Sequence, residues 1–133
     1  MYISKKKQKP TLEFSFLDAT WKIEPKTNEE LKQIWDKTQK EDVAELFGVT
    51  SFKEHKIHFD EDMCIEEVEQ TLKHELMHAY LWSIGARSFT QFDEEDICNF
   101  SGAASSIINA IVKKYMSRFI LHKAVKKRDN KTQ

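Results

Sequence analysis

The sequence predicts an α+β domain, with a small N-terminal β-sheet packed on a histidine-bearing helix and a long C-terminal helix. Three observations carry that expectation. Thr11 to Phe16 (TLEFSF) and Phe52 to Asp60 (FKEHKIHFD) alternate in the period-two manner of strands. Ile65, Val68, Leu72, Leu76 and Ala79 then recur every three or four residues, which marks an amphipathic helix running to about Ile84. A second helical stripe follows at Ile97, Phe100, Ala104, Ile107, Ile108, Ile111 and Tyr115. At 133 residues the chain suffices for one domain with one modest core. No internal repeat or low-complexity linker divides it, so residues 1–123 are expected to form the domain and 124–133 a basic flexible tail.

Each element has local signals. The first strand, Thr11 to Phe16, has a natural partner in Thr20 to Glu24. Pro25 and Thr27 announce a helix, with Thr27 at the N-cap and Glu30 three residues later, the spacing of a capping box. Leu31, Ile34 and Trp35 would be its apolar stripe. Ala44 to Val49 fits the end of a helix and a strand equally well. In the strand at 52–60, His55, Ile57 and Phe59 would share one face, leaving Glu54, Lys56 and His58 on the other. Cys64 stands at the N-cap of the next helix with Glu67 three later, and Gly85 follows its end as a C-cap should. Asp93 can cap the last helix. Gly102, Ala103, Ala104, Ser105 and Ser106 are small enough for close packing on the histidine helix.

Composition narrows the class. An apolar fraction of 40% and a charged fraction of 32% suit a globular chain. No apolar run approaches the ~20 residues of a membrane span. The opening MYISKKKQKP is basic but leads into no apolar stretch, so the expectation is a cytoplasmic protein. Cys64 and Cys98 cannot make a disulfide scaffold. Net charge is only −1, yet the charges are segregated. Asp60 to Glu75 carries seven acids against Lys73 alone, whereas eight Lys or Arg and the single acid Asp129 follow from Lys113 onward. A basic terminal segment can contact nucleic acid, but no aromatic residue interleaves the last ten positions for stacking, so nucleic acid is the less favoured partner.

The chemistry is concentrated in residues 74–78, HELMH. Positions four apart on a helix stand one turn above each other, so His74 and His78 can offer two imidazole nitrogens to one tetrahedral zinc ion. Glu75 can then reach a water on that metal without being a ligand. Two metal ligands plus a general base are the content of a His-Glu-x-x-His motif, the metal lowering the water's pKa to about 7. The competing interpretation is a pair of surface or hydrogen-bonded histidines with a salt-bridging Glu. A third ligand is needed, and DEEDICNF at the start of the last helix is its natural source. Glu95 is preferred, ahead of Glu94 and then Asp96. Asn99 stands four residues after Glu95 on the same side and can steady a ligand histidine by a hydrogen bond. Lone His55, His58 and His122 are better explained as surface or hydrogen-bonded residues. Tyr80, Tyr115 and His122 are candidate donors to an oxyanion, with Tyr115 better explained as core. Cys98 lacks a placed base and fits a small buried residue.

HELMHAYL with a downstream Glu-x-x-x-Asn resembles the gluzincin branch of the zincin metallopeptidases. The size and the order of strand, His-Glu-x-x-His helix and acidic helix are similar to small ImmA/IrrE-type metallopeptidase domains, compact relatives of which occur in bacterial phages and mobile elements. The resemblance spans about Ser51 to Ile111, and Cys98 and Phe100 depart from the Ala-rich pattern around that Asn. It implies a minimal zincin-like fold and a zinc-dependent hydrolase. His74, His78 and Glu95 would hold Zn2+, Glu75 would be the catalytic base, and a protein or peptide, such as a regulator, would be the substrate. It also implies that strand 52–60 is a sheet edge beside the cleft, its outward Glu54, Lys56 and His58 influencing substrate choice. The rival expectation is a non-catalytic zincin scaffold that recognises a regulatory protein or nucleic acid.

Overall fold

The structure is a computed structural model. It describes residues 9–16, 18–36, 43–44, 47–84 and 94–131, with backbone alone for 43–44, 94–103 and 129–131. Five strands form one sheet: β1 (Leu12–Phe16), β2 (Ala19–Lys26), β3 (Val43–Ala44), β4 (Gly48–Ser51) and β5 (Lys56–Asp60). Helix α1 (Asn28–Asp36) follows β2, and α2 (Ile65–Ser83) and α3 (Glu94–Lys131) complete the chain. The α+β arrangement expected from the sequence is present.

Strand order is β1-β2-β5-β4-β3. β1 and β2 form an antiparallel pair in which Phe14 faces Trp21 and Leu12 faces Ile23. β2 runs parallel to β5, and β5 antiparallel to β4. Alternation along these strands sends Trp21, Ile23, Ile57 and Phe59 into the core, all essentially unexposed. Val68, Leu72, Leu76 and Ala79 of α2 and Ala104, Ile108, Val112, Tyr115 and Phe119 of α3 close the core from one side. Pro25 is tolerated in β2 because it lies beyond the β1 pairing. The other sheet face carries Glu24, Val49, His58 and Asp60. There α1 packs against β2, β4 and β5, and Asn28 donates to Asp60 at 3.3 Å.

Several local expectations hold in detail. Thr27 and Glu30 make the reciprocal capping box: Thr27 N–H donates to Glu30 Oε1 at 3.0 Å, and Glu30 N–H to Thr27 Oγ1 at 3.1 Å. Cys64 does occupy the N-cap of α2, but its side chain caps nothing. Its thiol donates to the Glu67 carboxylate at 3.1 Å instead, and that hydrogen bond pushes the thiol pKa up. The end of α2 falls at Ser83 with Ile84 as C-cap, while Gly85, Asp93 and the loop between the two lie outside the described residues.

Other expectations are corrected. Of residues 44–49, Ala44 lies in β3 and Gly48 and Val49 lie in β4, which favours the strand alternative there, while Glu45 and Leu46 lie outside the described residues. The strand expected at 52–60 starts only at Lys56, because Phe52–His55 is a turn and His55 has φ 56°. Its ring lies flat on Trp21, centroids 4.8 Å apart, so an aromatic stack holds a backbone conformation that alternation alone would not suggest. Of the α1 stripe only Leu31 is buried, and Trp35 is 37% exposed. Ile65 and Ile107, assigned to buried stripes, are 36% and 44% exposed: Ile65 is the first residue of α2, at the open end of its row, whereas Ile107 lies well round α3 from the core-facing row. Helix α3 is described as far as Lys131, within the basic segment 124–133, and leaves the expected domain limit untested. Among the described residues no helix is long and apolar enough to cross a membrane.

His58 yields a pH-dependent expectation. It is 4% exposed, its Nδ1 has no hydrogen-bond partner among the described residues, and burial pushes its pKa below the ordinary 6.5, outweighing the attraction of Glu24 4.0 Å away. The unfolded chain then binds a proton that the folded chain refuses, so stability falls as pH drops through 6.5 toward the lower folded value. Thermal midpoints measured across that window should show the fall in the wild type and lose it in His58→Leu. The carboxylate of Glu24, whose pKa lies below its usual 4.5, begins to lose its contribution only at lower pH.

Candidate metal centre

Helix α2 divides its circumference between two tasks. Val68, Leu72, Leu76 and Ala79 face the sheet and α3, while Thr71, His74, Glu75 and His78 occupy the adjoining face. On that face His74 and His78 turn their rings toward each other, with Nε2 atoms 3.2 Å apart. A tetrahedral zinc with bonds of ~2.0–2.1 Å holds two ligand nitrogens about 3.3–3.4 Å apart. The imidazole pair therefore fits a shared zinc ion as it stands. A neutral N–H···N hydrogen bond would suit the same separation, so the surroundings must discriminate.

Those surroundings are unusual for a surface helix. Glu75 is 1% exposed, and its carboxylate accepts a hydrogen bond from Thr50 Oγ1 on β4. The same hydroxyl lies 3.3 Å from the Glu75 carbonyl oxygen. Thr50 itself is wholly buried, so the contact is shielded from water. Gly48, two residues earlier on the same strand face, makes the approach possible. A Cβ there would stand 2.9 Å from Glu75 Cγ and 3.0 Å from both Glu75 Oε1 and Thr71 Cγ2. A salt-bridging surface Glu requires none of this. A side chain held in place beside a reactive centre does.

Phe47, Gly48, Thr71, His74, Glu75 and Met77 line an open cleft of about 570 Å³ at this point. It follows the junction of α2 with β4, whose outer side β3 covers over Val49 and Thr50 among the described residues. The sheet edge beside the cleft is thus β3–β4. Strand 52–60 is not an edge: β5 lies between β2 and β4, and His58 points into the buried back face instead of outward. Lys56 is tied to Glu24 at 3.2 Å on that back face. None of these residues borders the cleft.

Glu94, Glu95, Asp96 and Asn99 fall in the first turns of α3, where the described structure is backbone alone. Among the described residues no group of three His, Cys, Asp or Glu side chains is placed to hold a metal ion. Tyr115 is removed as an oxyanion donor. It is fully buried, donates to the Pro10 carbonyl at 2.9 Å, and has its pKa raised by burial. Tyr80 packs edge-to-face on Phe16. Cys98 lies outside the described side chains.

Sequence reasoning missed Thr50 and Gly48. The available signal was faint: a small residue and a hydroxyl two apart in GVTS, a segment whose strand character was itself ambiguous. Comparison with protein-family models, curated proteins and solved structures gave no match.

Thr50→Val preserves shape but leaves the Glu75 carboxylate without that donor, and should cost about 1–3 kcal/mol in denaturant unfolding. Gly48→Ala should cost a similar ~1–3 kcal/mol through overpacking against Glu75 Cγ. Both losses should shrink markedly when Glu75 is first replaced by Ala, a coupling that a double-mutant cycle measures directly.

Proposed function

We propose that the chain is a zinc-dependent metallopeptidase, hydrolysing peptide bonds of a protein substrate. The observation that supports this reading best is the 3.2 Å convergence of His74 and His78 Nε2 beside a cleft lined by a buried, hydrogen-bonded Glu75. In this reading His74 and His78 bind zinc through Nε2 and Glu95 supplies the third ligand. Asn99, one turn after Glu95, orients a ligand imidazole. A zinc ion bound by these residues would supply Lewis acidity, the chemistry that lowers the pKa of water to about 7.

The remaining work belongs to the chain's own groups. Thr50 holds the Glu75 carboxylate in one orientation. Glu75 takes the proton from the attacking water and delivers it to the nitrogen of the leaving amine. A carboxylate enclosed by Thr50, Thr71 and the Gly48 backbone acts in a medium less screened than bulk water, where its position matters most. An extended peptide entering the cleft would meet the β3–β4 edge of the sheet, and strand addition there would orient the scissile bond. The similarity to ImmA/IrrE-type domains agrees with a cytoplasmic peptidase acting on a regulator.

Protein purified without chelator should carry about one zinc per chain by metal analysis, and His74→Ala or His78→Ala should lose it. Glu75→Gln should keep the zinc and lose at least ~10²-fold in turnover on a peptide selected from a library. A metal-free wild type, or unimpaired cleavage by Glu75→Gln, would refute the proposal.

A further inference from the structure

The end of α3 and the start of α2 lie side by side, Lys123 Nζ standing 3.5 Å from the Met63 carbonyl oxygen. Phe119 is the last buried side chain of α3. From there the helix runs on for twelve residues, about 18 Å at 1.5 Å per residue. Lys126, Lys127 and Arg128 on this extension are exposed, and on the neighbouring start of α2 so are Asp62, Glu66 and Glu67. One end of the molecule thus presents adjacent patches of opposite sign.

Helix dipoles favour cations at the end of α3 and acids at the start of α2. They do not explain the apolar groups set among those charges: Ile65 at 36% exposure, Ile120 at 44% and Leu121 at 63%. Nor is this how the chain treats its charges elsewhere. Lys9 is paired with Glu30 and Glu61, while Lys22, Lys26 and Lys56 converge on Glu24, and Lys73 meets Glu69. Among the described residues, no carboxylate stands within ion-pair distance of Lys126, Lys127 or Arg128.

We propose that this end of the molecule is a self-association face, on which two copies of the chain dock about a two-fold axis. The basic end of α3 in each copy meets the acidic start of α2 in the other, and Ile65, Ile120 and Leu121 are covered between them. A two-fold interface must be complementary to itself, and adjacent patches of opposite sign satisfy that requirement. A polyanion such as duplex nucleic acid would meet Asp62, Glu66 and Glu67 beside the cations and would leave the apolar residues uncovered. The inference does not depend on the metal reading.

Sedimentation of the full chain at low ionic strength should give twice the monomer mass of 15.7 kDa, and added salt should weaken the dimer. Lys127→Glu with Arg128→Glu should weaken it by about tenfold or more, as should Glu66→Lys with Glu67→Lys. Mixed one to one, the two variants should dimerise with each other although neither does alone, a rescue that misfolded chains would not give. Leu121→Asp, at an exposed position that folding does not need, should also abolish the dimer. A wild type that remains monomeric up to its solubility limit would overturn the proposal. So would a dimer indifferent to both charge reversals. Binding of labelled duplex DNA by a monomeric wild type, lost in the Lys127→Glu, Arg128→Glu variant, would equally overturn it by assigning the cations to a polyanion.

Discussion

Removing a carboxylate from water is tolerable only where the protein replaces the lost hydrogen bonds, and Glu75 imposes that condition on the fold. Its side chain is 1% exposed and takes a hydrogen bond from Thr50. Thr50 is paired in turn with Ile57 of β5, and Ile57 with Ile23 of β2. The position of one side chain on α2 is therefore linked to the register of three strands. A one-residue slip of β4 would turn Thr50 to the back face and put Val49 against the carboxylate. Gly48 adds a steric condition, because the strand can come this close to α2 only where it has no side chain.

The imidazole pair depends on the same anchoring. His74 and His78 stand on a helix whose adjoining face is locked by Val68, Leu72, Leu76 and Ala79, none of which is exposed. With the backbone immobilised by core packing, little is left to vary except ring torsions, and the rings meet at 3.2 Å. Sites built on regular elements hold their geometry more closely than sites on loops. Here one strand and one helix carry the groups whose positions are described, and α3 packs against that helix to complete the core.

The two faces of the sheet handle polar groups differently. On the back, three lysines gather around Glu24, and exchange with water leaves such pairs only modest energies. His58 beside them is buried under α1 with no hydrogen-bond partner for Nδ1 among the described residues, which costs stability. On the front Glu75 is buried and borders a cleft. Enclosure together with access to a cavity separates a chemical role from a structural one more sharply than the motif alone can.

Local rules were enough to read the parts governed by neighbours in sequence. The Thr27–Glu30 capping box, the β1–β2 hairpin, the span of α2 and the shared face of His74 and His78 all depend on contacts within a few residues, which spacing encodes directly. The turn at Phe52–His55 escaped because its ring stack on Trp21 joins residues 34 apart, and alternation cannot register such a partner. Thr50 and Gly48 escaped for the same reason: a hydroxyl and a missing side chain gain meaning only when Glu75, more than twenty residues away, is brought against them. Burial was misjudged at Ile107 and Trp35 because periodicity defines a stripe, whereas the width of the neighbouring element decides how much of it is covered. By itself the sequence determined the fold class and the placing of His74 and His78 on one face of α2, since both follow from periodicity. Only the tertiary structure decided which strand faces them and how the acid between them is held, because those are distances between segments that the chain keeps far apart.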